Sequence, residues 1–298
     1  MDQSLLVFMT VAEKHNFTRA AEALHMTQPA VSQHIQALEN SIGTKLLDRS
    51  NKHVRLNKAG EIVYRHGKEI EGLYTRMQRL VDDLMHTASG TLSIGASYTF
   101  GEYVLPHAIA YLQHHYPLIK PTITIGNTKE ISSLVAGGQL DIGIVEGALE
   151  HDKLHAESLA RDLMYVVTSS SHRFGKDEDV SAASLRQETW IVREEGSGTR
   201  EVTERMFLEQ GLNPSSRMEF GSTQIIKESV EAGLGISLLS HWAVRKEISL
   251  GTISKLTIGG KPVEREFSLL TQHHQQHTKA AEVFIGILRK RKGWPEQA

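Results

Sequence analysis

The sequence predicts a mixed fold class: a small helical head with a two-stranded wing, one long connecting helix, and a two-lobed α/β body. Three observations predict it. Two short helical patterns separated by a tight turn occupy residues 16–39, apolar residues step by three and four from Val63 to Leu84, and short apolar runs alternate with helical ones from Thr91 onward.

The head begins with a helical stripe of Leu5, Phe8, Met9 and Ala12. Thr18 is placed to cap the next helix, and Ala20, Ala21, Ala23 and Leu24 are strong helix formers whose small side chains admit a close crossing. Thr27 is placed to cap the helix that follows, with Pro29 in its first turn, where a missing N–H costs nothing. Val31, Ile35 and Leu38 fall on one face of that helix; Pro29, Gln33, Gln36 and Asn40 point the other way. Ser32 lies at the flank and Gln28 at the N-terminal end, the end that meets base edges when such a helix enters a major groove. Glutamine and asparagine pair bidentately with adenine, and serine accepts several partners. An ordinary amphipathic helix with a solvated amide face fits the segment too.

The next stretch bears on that choice. Residues 43–58 hold Lys45, Arg49, Lys52, Arg55 and Lys58 against one acid, Asp48, and Val54 and Leu56 alternate with polar residues as in a short hairpin. Basic charge beside a reading helix suits phosphate contact; a solvated charge run is the plain alternative. Phe8 to Ala12 together with FTRAAEALHMTQPAVSQHIQALENSIGTKLLDRSNKHVRLNKAG, residues 17–60, resembles the LysR-type transcriptional regulators, and chain length and later landmarks extend the likeness over the whole sequence. The resemblance implies a winged helix-turn-helix, a dimerising linker helix and a two-lobed effector domain. It implies that Thr27, Gln28, Pro29, Ser32 and Gln33 face bases or nearby phosphates, and that Arg49 and the Asn51-Lys52-His53 tip meet the backbone or minor groove. Thr18 and Gln36 complete the expected DNA-facing set.

Beyond Gly60, the seam of Val63, Ile70, Leu73, Met77, Leu80 and Leu84 predicts a helix of about 45 Å for some thirty residues. His66 takes the missing core position, and Gly67 and Gly72 lower helix propensity. Pairing with a second copy explains such a stripe best; packing on its own domain is the alternative. Residues 87–90 read as its end and a hinge. The expected divisions are a head over 1–58, a linker over 59–89 and a body over 90–298. Lobe I of the body comprises 90–161 and 266–298, and lobe II comprises 162–265.

In the body, strands are expected at 92–96, 122–126 and 141–145, with helices over 102–115 and 130–136. A second series places strands at 163–168, 190–192, 218–220 and 235–239, and helices starting near Thr199, Gln224 and Ser240. A strand at 266–271 and a helix over 278–291 close the chain. Such a series makes a mainly parallel sheet covered by helices. With the chain crossing between lobes near Arg161 and Arg265, it resembles a periplasmic-binding-protein type II fold.

Ligands of open α/β sheets sit beyond the carboxyl ends of strands, against helix N-termini. Here those junctions are rich in hydroxyls: Ser97 and Thr99, with Phe100 beside them, then Thr128, Ser197 to Arg200, and Ser222 with Thr223. Each alone is an ordinary cap; their convergence from two lobes favours an effector site. In residues 195–200, EGSGTR, Gly196 and Gly198 permit close backbone approach, Ser197 and Thr199 donate, and Arg200 can fork onto an anion. Local helix-start structure is the competing reading. The segment resembles the branch of LysR-type regulators that controls carbon-fixation or sulfur-assimilation operons, which implies a small anionic or phosphorylated metabolite.

Composition bounds the rest. The chain has 298 residues, a net charge of −2 and no cysteine, so thiolate chemistry and disulfides are excluded and nucleic-acid binding must rely on the local basic cluster. No signal peptide or membrane-length apolar run is apparent, so a cytoplasmic location is expected. Among sixteen histidines, His273, His274 and His277 have ligand-like spacing, as do His114 and His115, but neither group has a nearby carboxylate and solvated histidine is the better reading. No nucleophile–base constellation or dinucleotide fingerprint appears, so no cofactor is expected. The expectation is a regulator that binds an interrupted palindrome of double-stranded DNA, senses a small molecule, engages RNA polymerase and self-associates to dimer and tetramer. A solute-binding protein and an α/β enzyme are the rival classes.

Overall fold

The computed structural model describes residues 2–49, 54–83, 88–147, 151–273 and 276–294. The chain divides into two compact units. One holds residues 1–84 with 137–139; the other holds the rest.

In the first unit, helix α1 (Gln3–Lys14) is capped by Asp2, whose carboxylate accepts the Leu5 N–H at 2.9 Å. Helix α2 (Phe17–Ala23) is capped by Asn16, which accepts the Arg19 N–H at 3.0 Å. Thr18 was expected in that role. It lies already within the first turn, because Asn16 has the extended backbone a cap requires. Helix α3 (Gln28–Ile42) is capped by Thr27, carries Pro29 in its first turn and stops at Gly43, whose φ of 84° favours glycine. Val31 and Ile35 of α3 pack with Val7, Phe8, Val11, Ala20 and Ala21 in one core; the two alanines admit the close crossing.

Strand β1 (Leu47–Arg49) pairs antiparallel with β2 (Val54–Leu56), Leu47 opposite Leu56, and the loop at 50–53 lies outside the described residues. Helix α4 (Lys58–Asp83) has 26 residues, which at 1.5 Å each span about 39 Å. Gly67, read from sequence as a weak helix position, has a packing reason: a Cβ there would meet Met9 Sδ at 2.7 Å. The expected seam is divided. Val63 packs on the head core, while Ile70, Leu73 and Met77 are about half exposed and Leu84 lies outside the described residues.

In the second unit, β3 (Gly90–Ser97) leads into α5 (Tyr98–Tyr103) and α6 (Leu105–His115), then β4 (Ile119–Gly126), α7 (Thr128–Ala136) and β5 (Ile142–Glu146). The single helix expected over 102–115 is two: Pro106 cannot donate to the turn before it, so the chain restarts after Val104. Strand β6 (Leu154–Ser169) follows, then β7 (Asp179–Val180), β8 (Thr189–Arg193), α8 (Gly198–Glu209), β9 (Ser216–Phe220), α9 (Thr223–Glu231), β10 (Ser237–Ser240), α10 (His241–Leu250), β11 (Ile253–Ile258), β12 (Val263–Gln272) and α11 (Lys279–Arg289).

The main sheet runs β4-β3-β5-β12-β6-β11-β7, with β10 also on β6; β8 and β9 form a separate parallel pair. In lobe I, β3 is parallel to β4 and β5, as expected. In lobe II, β10 and β11 are both antiparallel to β6, so the sheet there departs from the expected parallel character. The lobes are joined by continuous strand: β6 and β12 pair antiparallel from Met164–Val263 to Leu154–Gln272, with a register shift at Phe267/Ser268. Arg265 and Asp162 face each other in that ladder. Lobe I centres on Ile94, Phe100, Leu112, Ile142, Phe267 and Phe284, and lobe II on Met164, Trp190, Phe207, Leu238 and Leu256.

Candidate functional site

Two faces carry the candidate side chains, one on each unit. On the first unit, burial of Val31 and Ile35 leaves Thr27, Gln28, Pro29, Gln33, Gln36 and Asn40 exposed on α3, with Ser32 half-buried beside them. Gln28 Nε2 donates to Ser32 Oγ at 3.0 Å, so these two polar groups sit on adjacent turns. Thr18 is exposed at the start of α2. Arg49 ends β1, and the expected contacts Lys52 and His53 lie outside the described residues.

Sequence reasoning missed Glu39. It is 3% exposed, and its carboxylate accepts the Leu46 N–H at 3.0 Å and Lys45 Nζ at 2.8 Å. A buried carboxylate on α3 thus ties down the segment that enters the wing. Its signal was available: an acid at 39 continues the Val31–Ile35 buried spacing.

On the second unit, the two lobes meet along the N-termini of α5, α7 and α8. Gly198 starts α8 so close to Glu146 that a Cβ would lie 2.2 Å from the Glu146 carbonyl oxygen; only glycine permits this approach. The Lys129 N–H donates to the Gly196 carbonyl at 3.1 Å.

Thr99 and Thr199, expected as ligand hydroxyls, are brought together by a residue that sequence reasoning did not select. Arg265 donates to Thr99 Oγ1 at 3.0 Å and Thr199 Oγ1 at 2.8 Å, and from Nε to Asp162 Oδ2 at 2.6 Å. Glu146 Oε2 lies 3.4 Å from Arg265 Nη1, and Glu146 Oε1 accepts the Thr99 N–H at 2.8 Å. Ser240 Oγ donates to the other oxygen of Asp162 at 2.6 Å. Arg265, Glu146 and Asp162 are all at most 4% exposed. Burial pushes the Glu146 carboxyl up, but Arg265 and Thr99 outweigh it and hold the group below its usual range. For Asp162 burial wins over Arg265 and Ser240, and its carboxyl is raised.

Other expected residues fall differently. Thr128 Oγ1 donates to the Glu146 carbonyl at 3.2 Å, and Ser197 is buried at the start of α8. Ser222 caps α9, accepting the Ile225 N–H at 3.4 Å. Phe100 is a core residue: fully buried, it stands edge-on to Phe267 and Trp294, each 5.2 Å away. Arg200 was expected to fork onto an anion. Its donors go to Glu204 at 2.8 Å, Glu219 at 3.1 Å and the Arg193 carbonyl at 2.8 Å, because α8 and β9 place acids on both sides of it.

The guanidinium nearer the lobe boundary is Arg193, 1% exposed. Its Nη1 donates to Thr223 Oγ1 at 3.2 Å, and its face lies 4.4 Å from the Tyr98 ring. Burial raises the carboxyl of Glu102, and Arg193 and Lys227 offset only part of that rise. Among the described residues, no group of three or more His, Asp or Glu is placed to hold a metal ion. No helix among them is long and apolar enough to cross a membrane.

Comparison with known proteins joins these two faces to one family. The model described as "Bacterial regulatory helix-turn-helix protein, lysR family" matches residues 3–61, and that described as "LysR substrate binding domain" matches residues 86–293. The HTH-type transcriptional regulator CysL of Bacillus subtilis is 38% identical over 285 residues, covering 96% of this chain and 95% of that protein. A probable RuBisCO transcriptional regulator of Cyanophora paradoxa is 31% identical over 288 residues, covering 95% and 89%. The crystal structure of full-length CbnR with its target DNA superposes with a TM-score of 0.74 at 22% identity, over 97% of this chain and 99% of that one. The helix-turn-helix head, the two-lobed body and full-length relatedness agree: the chain belongs to the LysR family, as a DNA-binding transcriptional regulator with an effector-binding domain.

Proposed function

We propose that this regulator reads an interrupted palindrome with the exposed amide face of α3, using Thr27, Gln28, Pro29, Ser32, Gln33 and Gln36, with Thr18 and the wing residues Arg49, Lys52 and His53 on the flanking backbone. The exposed polar row on a helix buried by its opposite face is the observation that carries this reading. Residues 1–58 act as the head, 59–89 as the linker and 90–298 as the body. The protein works in the cytoplasm, associates through its linker and again through its body to a tetramer, and alters the engagement of RNA polymerase at the promoter.

The body responds to a small anionic metabolite held where Ser97, Thr99, Thr128, Ser197, Gly198, Thr199 and Thr223 converge from two lobes. Kinship with CysL and with regulators named for RuBisCO supports a role near sulfur-assimilation or carbon-fixation operons. Footprinting on genomic promoter fragments, with and without candidate phosphorylated or carboxylated metabolites, tests both halves. A two-half-site footprint whose extent changes with one metabolite is expected. Protection without sequence preference would sink the reading face, and a specific footprint indifferent to every anion tried would sink the effector class.

A further inference from the structure

Arg193 and Glu194 are consecutive in sequence yet unequal in their surroundings. The Arg193 side chain is 1% exposed, while that of Glu194, bound to it, is 24% exposed. Glu194 follows the end of β8 and enters the turn that contains Gly196, at φ 85°. Its carboxylate takes both nitrogens of one guanidinium edge, Nε at 2.6 Å and Nη2 at 2.7 Å. One face of the guanidinium lies against Tyr98, and Nη1 is spent on Thr223. The Nε–Nη2 edge held by Glu194 is an edge at which an external oxyanion can meet this charge, by taking the place of a partly exposed carboxylate. Arginine keeps its proton, so a buried guanidinium is best compensated by an anion.

We propose that Arg193 is the anion subsite of the body and that Glu194 is its resident competitor. A carboxylate, sulfate or phosphate group from an effector displaces the Glu194 side chain and takes over its two hydrogen bonds. Two parallel N–H···O bonds suit any group with two oxygens in the geometry of a carboxylate. Displacement also carries a signal. Asn127 Nδ2, in lobe I, lies 3.5 Å from Glu194 Oε1, so removing this carboxylate breaks a contact between lobes. The proposal rests on the reading of the body as an effector domain, but it relocates the charge recognition from Arg200, whose donors are taken by Glu204 and Glu219, to Arg193.

The test titrates the full-length protein with inorganic phosphate and with acetate by calorimetry, beside a DNA footprint under the same conditions. Glu194→Gln removes the competing charge and should bind phosphate at least about fivefold more tightly than the wild type, since like charges within about 4 Å cost that much even in bulk water. Acetate should gain less, having one charge. Glu194→Ala serves as a second variant, and cooperative melting verifies that each is folded. The gain should vanish in Arg193→Gln/Glu194→Gln, which closes a double-mutant cycle on the pair. Phosphate affinity unchanged in both folded Glu194 variants would overturn the proposal, as would a gain that survives in the double variant. A gain that depends on Arg193 but leaves the footprint unmoved would keep the subsite and remove the effector reading. A footprint that responds to some other metabolite, with no phosphate gain in either variant, would remove the subsite alone.

Discussion

Gln33 and Lys52 are expected to separate two kinds of DNA contact. Gln33 is exposed in the middle of the α3 polar row, so Gln33→Ala should cost about 1–3 kcal/mol at the specific site and little on random DNA. Lys52→Ala should weaken all sequences alike and reduce the salt slope by about one ion. Competition gel shifts at several salt concentrations check this, and equal losses on both DNAs for Gln33→Ala would remove it from the reading set. In the body the decisive residues are charged. Glu146 is held below its usual range, so it contributes stability above its ordinary value of 4.5 that is lost as pH falls through its lower folded value. The stability gap between wild type and Glu146→Gln should therefore shrink on acidification below about pH 4.5, measured by denaturant melts; a gap that widens would reverse the sign. The amide row was legible before folding, because helical spacing alone sorts Val31 and Ile35 from Gln33 and Gln36. Arg265 was not, because nothing local says that a strand arginine will meet a threonine 166 positions earlier.

At the scale of elements, the apolar stripe of α4 is divided between two environments. Its first turns pack on the head, and Gly67 lets it approach Met9. Farther along, Ile70, Leu73, Met77 and Val81 are each about half exposed at steps of three and four. Burying them against a second copy would withdraw this surface from water. Leu73→Asp with Met77→Asp should abolish pairing through the helix, because a buried unpaired carboxylate is costly. Specific DNA binding should fall with it, while the melting of the body is unchanged. Light scattering and gel shifts on the full-length variant check this; specific binding retained by a protein whose mass has fallen from tetramer to dimer would break the link. The helix itself was legible from its period. The division of its seam was not, since the same spacing fits a stripe buried on its own head and one left half exposed. The helix expected over 102–115 was likewise legible, but not its division at Val104, which leaves a separate α5 carrying Phe100 into the lobe I core.

For the whole molecule, the two lobes approach tightly at Gly198, where any side chain meets the Glu146 backbone. Gly198→Ala should force the lobes apart and disturb the Arg265 network, lowering the melting temperature of the body while leaving non-specific DNA affinity unchanged; an unshifted transition would show that the contact yields freely. Assembly is checked by sedimentation. If the linker and body each supply an interface, the wild type should be a tetramer and the Leu73→Asp/Met77→Asp variant a dimer; a dimeric wild type would remove the second interface. The sequence by itself determined the order of parts, the faces of α3 and α4, and the placement of hydroxyls at strand-to-helix junctions, because these follow from periodicity and capping within a few residues. Tertiary structure alone decided three things: that β6 and β12 run unbroken through both lobes, that Phe100 is core while Arg200 is spent on its neighbours, and that Arg265 and Arg193 are the buried charges at the lobe boundary. Those outcomes depend on which distant acids and hydroxyls folding brings within hydrogen-bond reach, and a buried charge is tolerated only where such partners arrive together.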